Sequence, residues 1–184
     1  MKKYNDMKKE LEKIITPDTV FACIGTKNAV FDSFGPLCGT LLKRKGVPCY
    51  GDCNDMMNAA TMYVMLDRIY KKDGHQNKNI ISIDACVTSS DKKLNKLSVR
   101  DVGVKPGAAV GCLFPRVGDN SIIMFTLTEK ELRTTMESYK TYGLGSYVGR
   151  RYDLADRKMI REQAELITDL IAEIYHEVCN EIIV

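Results

Sequence analysis

Two aspartates stand out for where they fall along the chain. Asp32 lies in Gly25-Thr26-Lys27-Asn28-Ala29-Val30-Phe31-Asp32-Ser33-Phe34-Gly35-Pro36, soon after an apolar run, and Asp84 closes another in Ile83-Asp84-Ala85-Cys86. In an open parallel α/β sheet the ligand crevice lies outside the carboxyl ends of the strands, where neighbouring connections leave in opposite directions. Two carboxylates meeting there would share one proton. The ionised partner would take a proton from water and the protonated one would supply a proton to a departing group. Each aspartate also has a plainer reading. Asp32, just before a Gly-Pro helix start, suits a helix cap or Asx turn. Asp84 suits a turn at a strand end, although a carboxylate among apolar neighbours needs solvent or a partner.

A second candidate region runs from Gly103 to Asp119 and is rich in Gly, Ala and Pro. Small residues let a backbone approach a bound peptide or anion closely. A connection this long without regular structure is uncommon in a compact domain unless it forms a lid or binding segment. Lys105, Arg116 and Asp119 are its polar candidates. Cys86 offers a competing nucleophile, but a reactive thiol needs a base, and the chain has just His75 and His176, the latter within a helical pattern. Cys49 and Cys53 have no second pair and no matching histidine, which disfavours a zinc site. The Gly25 to Gly35 stretch has neither the dinucleotide fingerprint nor the Gly-Lys-Ser/Thr ending of a phosphate loop. No cofactor and no metal are expected from these patterns.

The elements that must hold these residues read as an alternation of strands and helices. Tyr4, Met7, Leu11, Ile14 and Ile15 stripe an amphipathic helix over Lys2 to Ile15, ended by Pro17. Val20 to Ile24 is a short apolar run suited to a strand buried on both faces. Pro36 and Gly46 bracket a helix over Leu37 to Lys45, followed by a weaker strand at Val47 to Tyr50 and a helix over Met56 to Tyr70. Asn79 to Asp84 is a second clear strand, Leu97 to Val104 a short edge strand, and Ser121 to Leu127 a further strand. Thr128 caps a helix running to about Lys140, Gly143 and Gly145 break it, and a last helix runs from about Asp156. Strand-helix alternation predicts parallel pairing. The expected fold is a single α/β domain, 1-184, with helices on both faces of a mostly parallel sheet.

Composition bounds the rest. The chain has 184 residues, 45% hydrophobic and 28% charged, as in ordinary folded domains and unlike disordered or fibrous chains. A net charge of +3 lacks the basic footprint that drives binding to a phosphate backbone, so no nucleic acid is expected. No apolar run reaches a bilayer-spanning length, no leader-like stretch follows the first residues, and the odd set of seven cysteines reads as reduced thiols. A cytoplasmic setting without a membrane partner is expected. Oligomeric state is left open, a homo-oligomer included.

Taken together, Cys23-Ile24-Gly25-Thr26, Asp32-Ser33-Phe34-Gly35-Pro36-Leu37, Ile83-Asp84-Ala85-Cys86, Lys105-Pro106-Gly107-Ala108-Ala109-Val110 and Pro115-Arg116-Val117-Gly118-Asp119 resemble the sporulation proteins of the YyaC type. That family is similar to the bacterial spore germination protease and, more distantly, to hydrogenase maturation proteases. The resemblance spans roughly Val20 to Leu127. It implies a three-layer fold of the phosphorylase/hydrolase-like kind, catalytic aspartates at Asp32 and Asp84, and a Gly107 to Gly111 loop that sets Lys105 and Arg116 beside them. It also implies a protein or peptide substrate and a forespore or spore setting. The chain departs from the pattern at Ala108, Ala109 and Cys112, and neither histidine falls where a nickel ligand would. Two rival readings stand beside the peptidase: a binding or scaffold protein that keeps the fold without turnover, and a carboxylate pair that holds a divalent cation.

Overall fold

The structure is a computed structural model that describes residues 2–112, 114–142 and 154–181. The sheet is built from β1 (Thr19–Cys23), β2 (Cys49–Tyr50), β3 (Asn79–Thr88), β4 (Leu97–Arg100) and β5 (Asn120–Thr128). Their order across the sheet is β2-β1-β3-β5-β4. The β1–β2, β1–β3 and β3–β5 pairs are parallel, and β4 runs antiparallel along the outer edge of β5. The helices are α1 (Lys2–Glu12), α2 (Phe34–Arg44), α3 (Met62–Asp67), α4 (Glu129–Tyr142) and α5 (Leu154–Asn180).

Strand side chains alternate between two cores, as period-two geometry requires. Phe21, Cys23, Ile81, Ile83, Ile122 and Met124 face one core, closed by residues of α1, α2 and α5. Val20, Ala22, Ile24, Ile80 and Ile123 face the other, closed by Met57, Met62, Met65 and Ile69. The fold is therefore a three-layer α/β/α arrangement around a mostly parallel sheet, as the strand-helix alternation predicts. Phe21, Ile81, Ile83 and Ile122 are fully buried, and each side chain so removed from water contributes about 1.5–3 kcal/mol to the folded state.

The structure differs from the sequence-based expectation in two places that shape the site. The helix expected from Met56 begins at Met62 instead. Met57 forms an isolated parallel bridge with Ile24, and side chains then compete with the helix ladder. Thr61 Oγ1 donates to the Met56 carbonyl at 2.6 Å, and Ala60 N donates to Asn58 Oδ1 at 3.0 Å. The helix also ends differently, in a π-helical turn over Arg68–Lys72. The second difference is β3, which runs past Asp84 to Thr88 because β5 continues to pair with it, with a register shift between Cys86 and Val87. Gly143 and Gly145, expected to break the helix after Lys140, lie outside the described residues.

Candidate active site

The site lies where β1 stops and β3 does not. Cys23 pairs with Ile83, Ile24 N donates to the Ile83 carbonyl at 2.7 Å, and Gly25 then turns away with its N–H on the Met57 carbonyl at 2.9 Å. Asp84 consequently has Ile123 of β5 opposite it on one side and no strand residue on the other. In the sheet order the chain leaves β1 toward β2 and leaves β3 toward β4 and β5, on the opposite side. That divergence is the switch point at which open α/β sheets form their crevice.

Asp32 reaches the same place from a 3-10 turn, Val30–Asp32, between β1 and α2. Thr26 N lies 3.0 Å from the Asp32 carbonyl and 2.9 Å from Asp32 Oδ2, so one N–H faces both oxygens and closes the loop on itself. No side chain caps the start of α2. The carboxylate thus serves its own loop rather than the helix that follows. Asp84 is 7% exposed, and its Oδ1 accepts from Ala85 N at 2.9 Å. Among the described residues, Asp32 Oδ1 and Asp84 Oδ2 have no hydrogen-bond partner.

Both aspartates line one cavity of about 230 Å³. Its walls are chiefly apolar or small, with Phe31, Met62 and Leu132 on the helix and turn side and Pro106, Gly107 and Ala109 on the loop side. In such surroundings the charged form of a carboxyl group is disfavoured. Burial pushes Asp32 up to about 7, against the opposing pull of the Thr26 N–H. Burial pushes Asp84 well above the usual carboxylate range, and the charge of Asp32 pushes it further the same way. The two groups interact, so their protons belong to the pair.

Of the residues singled out in the sequence, Asp32, Asp84 and Gly107 line this cavity together. Lys105, Arg116 and Asp119 are exposed and do not line it. Arg116 donates to the Gly103 carbonyl and lines a separate depression with Tyr63 and Tyr70. Asp119 is tied to the start of β3, where its N–H donates to the Ile80 carbonyl at 2.8 Å. The 105–119 connection contains a 3-10 turn, Ala108–Val110, flanked by Gly107 and Gly111 at positive φ, and it brings Gly107 and Ala109 to the cavity wall. Cys86 also lines the cavity, but burial, with Asp84 next, pushes its thiol up to about 12, which disfavours the thiolate a nucleophile requires. Asn58 and Thr126 are lining residues that sequence reasoning missed, and Cys112, where the loop departs from the family pattern, lines the cavity as well. Asn58 was hidden by the helical periodicity of Met56 to Tyr70, and Thr126 by the strand pattern of β5. Among the described residues, no group of three or more His, Cys, Asp or Glu side chains is placed to hold a metal ion.

A family model described as "Protein of unknown function (DUF1256)" matches residues 1–139. The chain belongs to this family. The match takes in every element from α1 to β5 and both aspartates, whereas α5 lies beyond it. The chain is also similar to "Uncharacterized protein YyaC" of Bacillus subtilis (strain 168), 35% identical over 112 residues. That alignment covers 59% of the chain and 53% of the relative, so the chain spans about half the length of the curated protein it matches. No helix among the described residues is long and apolar enough to cross a membrane.

Proposed function

We propose that this DUF1256 protein is a sporulation-associated, peptidase-like hydrolase in which Asp32 and Asp84 exchange a proton with water and a leaving amine. The observation that carries the reading is the sharing of one cavity by two carboxyl groups, both raised by burial. Two such carboxyl groups share one proton, so that one serves as base while the other serves as acid. The ionised member of the pair draws a proton from water. The protonated member delivers one to the departing nitrogen. Addition leaves the proton taken from water on one carboxyl and collapse removes a proton from the other, so the pair again holds one proton, and its passage between the two carboxyls restores the starting state. The substrate is a protein or peptide, and the sporulation setting follows the YyaC-type resemblance.

Positioned acid-base catalysis contributes about 10²–10⁴-fold. The test is incubation of spore-former lysate proteins and candidate spore proteins with the wild-type chain and with Asp84→Asn, fragments being read by mass spectrometry. The expected result is cleavage by the wild type and a loss of at least about 100-fold in the variant. Equal cleavage by both, or none by either, would return the chain to a binding or scaffold role on the same fold.

A further inference from the structure

The stretch from Gly25 to Ser33 separates two cavities. Gly25, Phe31 and Asp32 line the one that holds the aspartate pair. Lys27, Val30 and Ser33 line a second, of about 400 Å³, whose other wall is Leu37 of α2 and Arg157, Lys158 and Arg161 from the first turns of α5. Four cations therefore line one cleft on the far side of the loop that carries Asp32. Lys158 is 3.8 Å from Glu162, while Lys27, Arg157 and Arg161 have no ion-pair partner among the described residues. Three of the four cations thus lack an ion-pair partner among the described residues, a local concentration of positive charge against a net charge of +3 for the whole chain.

The lining also limits what the cleft accepts. Val30 and Leu37 give it an apolar side, and Ser33 Oγ is occupied by its bond to the Val30 carbonyl at 2.7 Å. An apolar wall beneath separated cations suits aliphatic stems ending in carboxylates. A phosphate backbone instead needs a long basic stripe making several contacts, for which a cleft of this size has no room. We propose that this cleft docks an acidic segment of the polypeptide on which the aspartate pair acts, holding it on the opposite side of the 25–33 loop from the reacting bond. The inference rests on the hydrolase reading and adds the class of substrate to it.

The experiment is fluorescence anisotropy with a short fluorescein-labelled peptide of glutamate and alanine, at low salt, on the wild-type chain, on the double variant Arg157→Glu/Arg161→Glu and on Arg157→Lys/Arg161→Lys. Exposed ion pairs are individually weak and screened by salt, but reversing two charges in one cleft replaces attraction with repulsion. The expected result is binding about tenfold or more weaker in the reversal variant, largely retained in the lysine variant, and weakened by added salt. Unchanged affinity in a reversal variant that melts like the wild type overturns the inference while leaving the hydrolase reading intact. Equal binding of a single-stranded oligonucleotide of matched charge overturns it as well. Binding lost in the reversal variant and kept in Asp84→Asn, with no cleavage of any protein by the wild type, retains the docking site and removes the hydrolase.

Discussion

Gly25 and Asp32 are in backbone contact at the end of β1: a Cβ placed on Gly25 would lie 2.2 Å from the Asp32 carbonyl oxygen. Gly25 also holds φ at +132°, which a side chain rarely tolerates. Both the turn out of β1 and the placement of Asp32 therefore depend on a missing side chain. Gly25→Ala should destabilise the fold by about 1–3 kcal/mol. Thermal unfolding checks this, and a melting temperature equal to that of the wild type would mean the loop has room that the close approach denies.

Asp32 makes stability depend on pH in a defined direction. Its carboxyl titrates at about 7 in the folded chain and about 3.9 in an unfolded one. Between those values the folded state binds the extra proton. The stabilisation is complete below about pH 4 and is lost as pH rises through about 7. Asp84, raised by burial and by Asp32, acts in the same direction. Asp32→Asn should flatten the fall in melting temperature between about pH 5 and pH 8, measured by scanning calorimetry in parallel with the wild type. Parallel curves would show that Asp32 is ordinarily solvated.

The proposed chemistry needs one carboxylate and one carboxylic acid together. Cleavage should rise as the pair loses its first proton and fall at higher pH as it loses the second. The rate of peptide hydrolysis as a function of pH checks it, and Asp32→Asn should remove the bell shape and lower the rate at least about 100-fold. Activity that changes in one direction only across the whole pH range would contradict a pair that works with one proton between two carboxyls.

Cys86 separates the aspartate mechanism from a thiol one. Its thiol is held up at about 12, chiefly by burial, so it contributes almost no thiolate at neutral pH. Cys86→Ala should keep cleavage within about threefold of the wild type, a margin that allows for the small repacking of the cavity. Loss of 100-fold or more would shift the chemistry to the thiol.

Helix α4 brings Leu132 to the cavity wall and is anchored by a reciprocal cap. Glu131 N donates to Thr128 Oγ1 at 3.2 Å, and Thr128 N donates to Glu131 Oε2 at 2.9 Å. Thr128→Ala should cost about 1 kcal/mol, read by urea unfolding. No change would place the stability of that helix end elsewhere.

Local patterns made much of this protein legible in its sequence. The apolar run Val20 to Ile24, the isoleucines at 80, 81 and 83 and the β-branched stretch before Thr128 announce buried strands, because a strand covered on both faces has no polar side to show. Thr128 and Glu131 announce the start of α4 three residues apart. Strand-end aspartates in an alternating chain point to a crevice, and Asp32 and Asp84 do line one. What sequence patterns miss is set by contacts between distant segments. Met57 delays a helix by bridging to Ile24, and β5 draws β3 on past Asp84. The 105–119 connection turns Gly107 toward the aspartates and Arg116 away. Composition and periodicity act over neighbouring residues and so determine the elements. The separation of carboxylates from cations on two sides of one loop exists when the sheet has brought residues 27, 32, 84 and 161 to the same edge, and tertiary packing alone decides that.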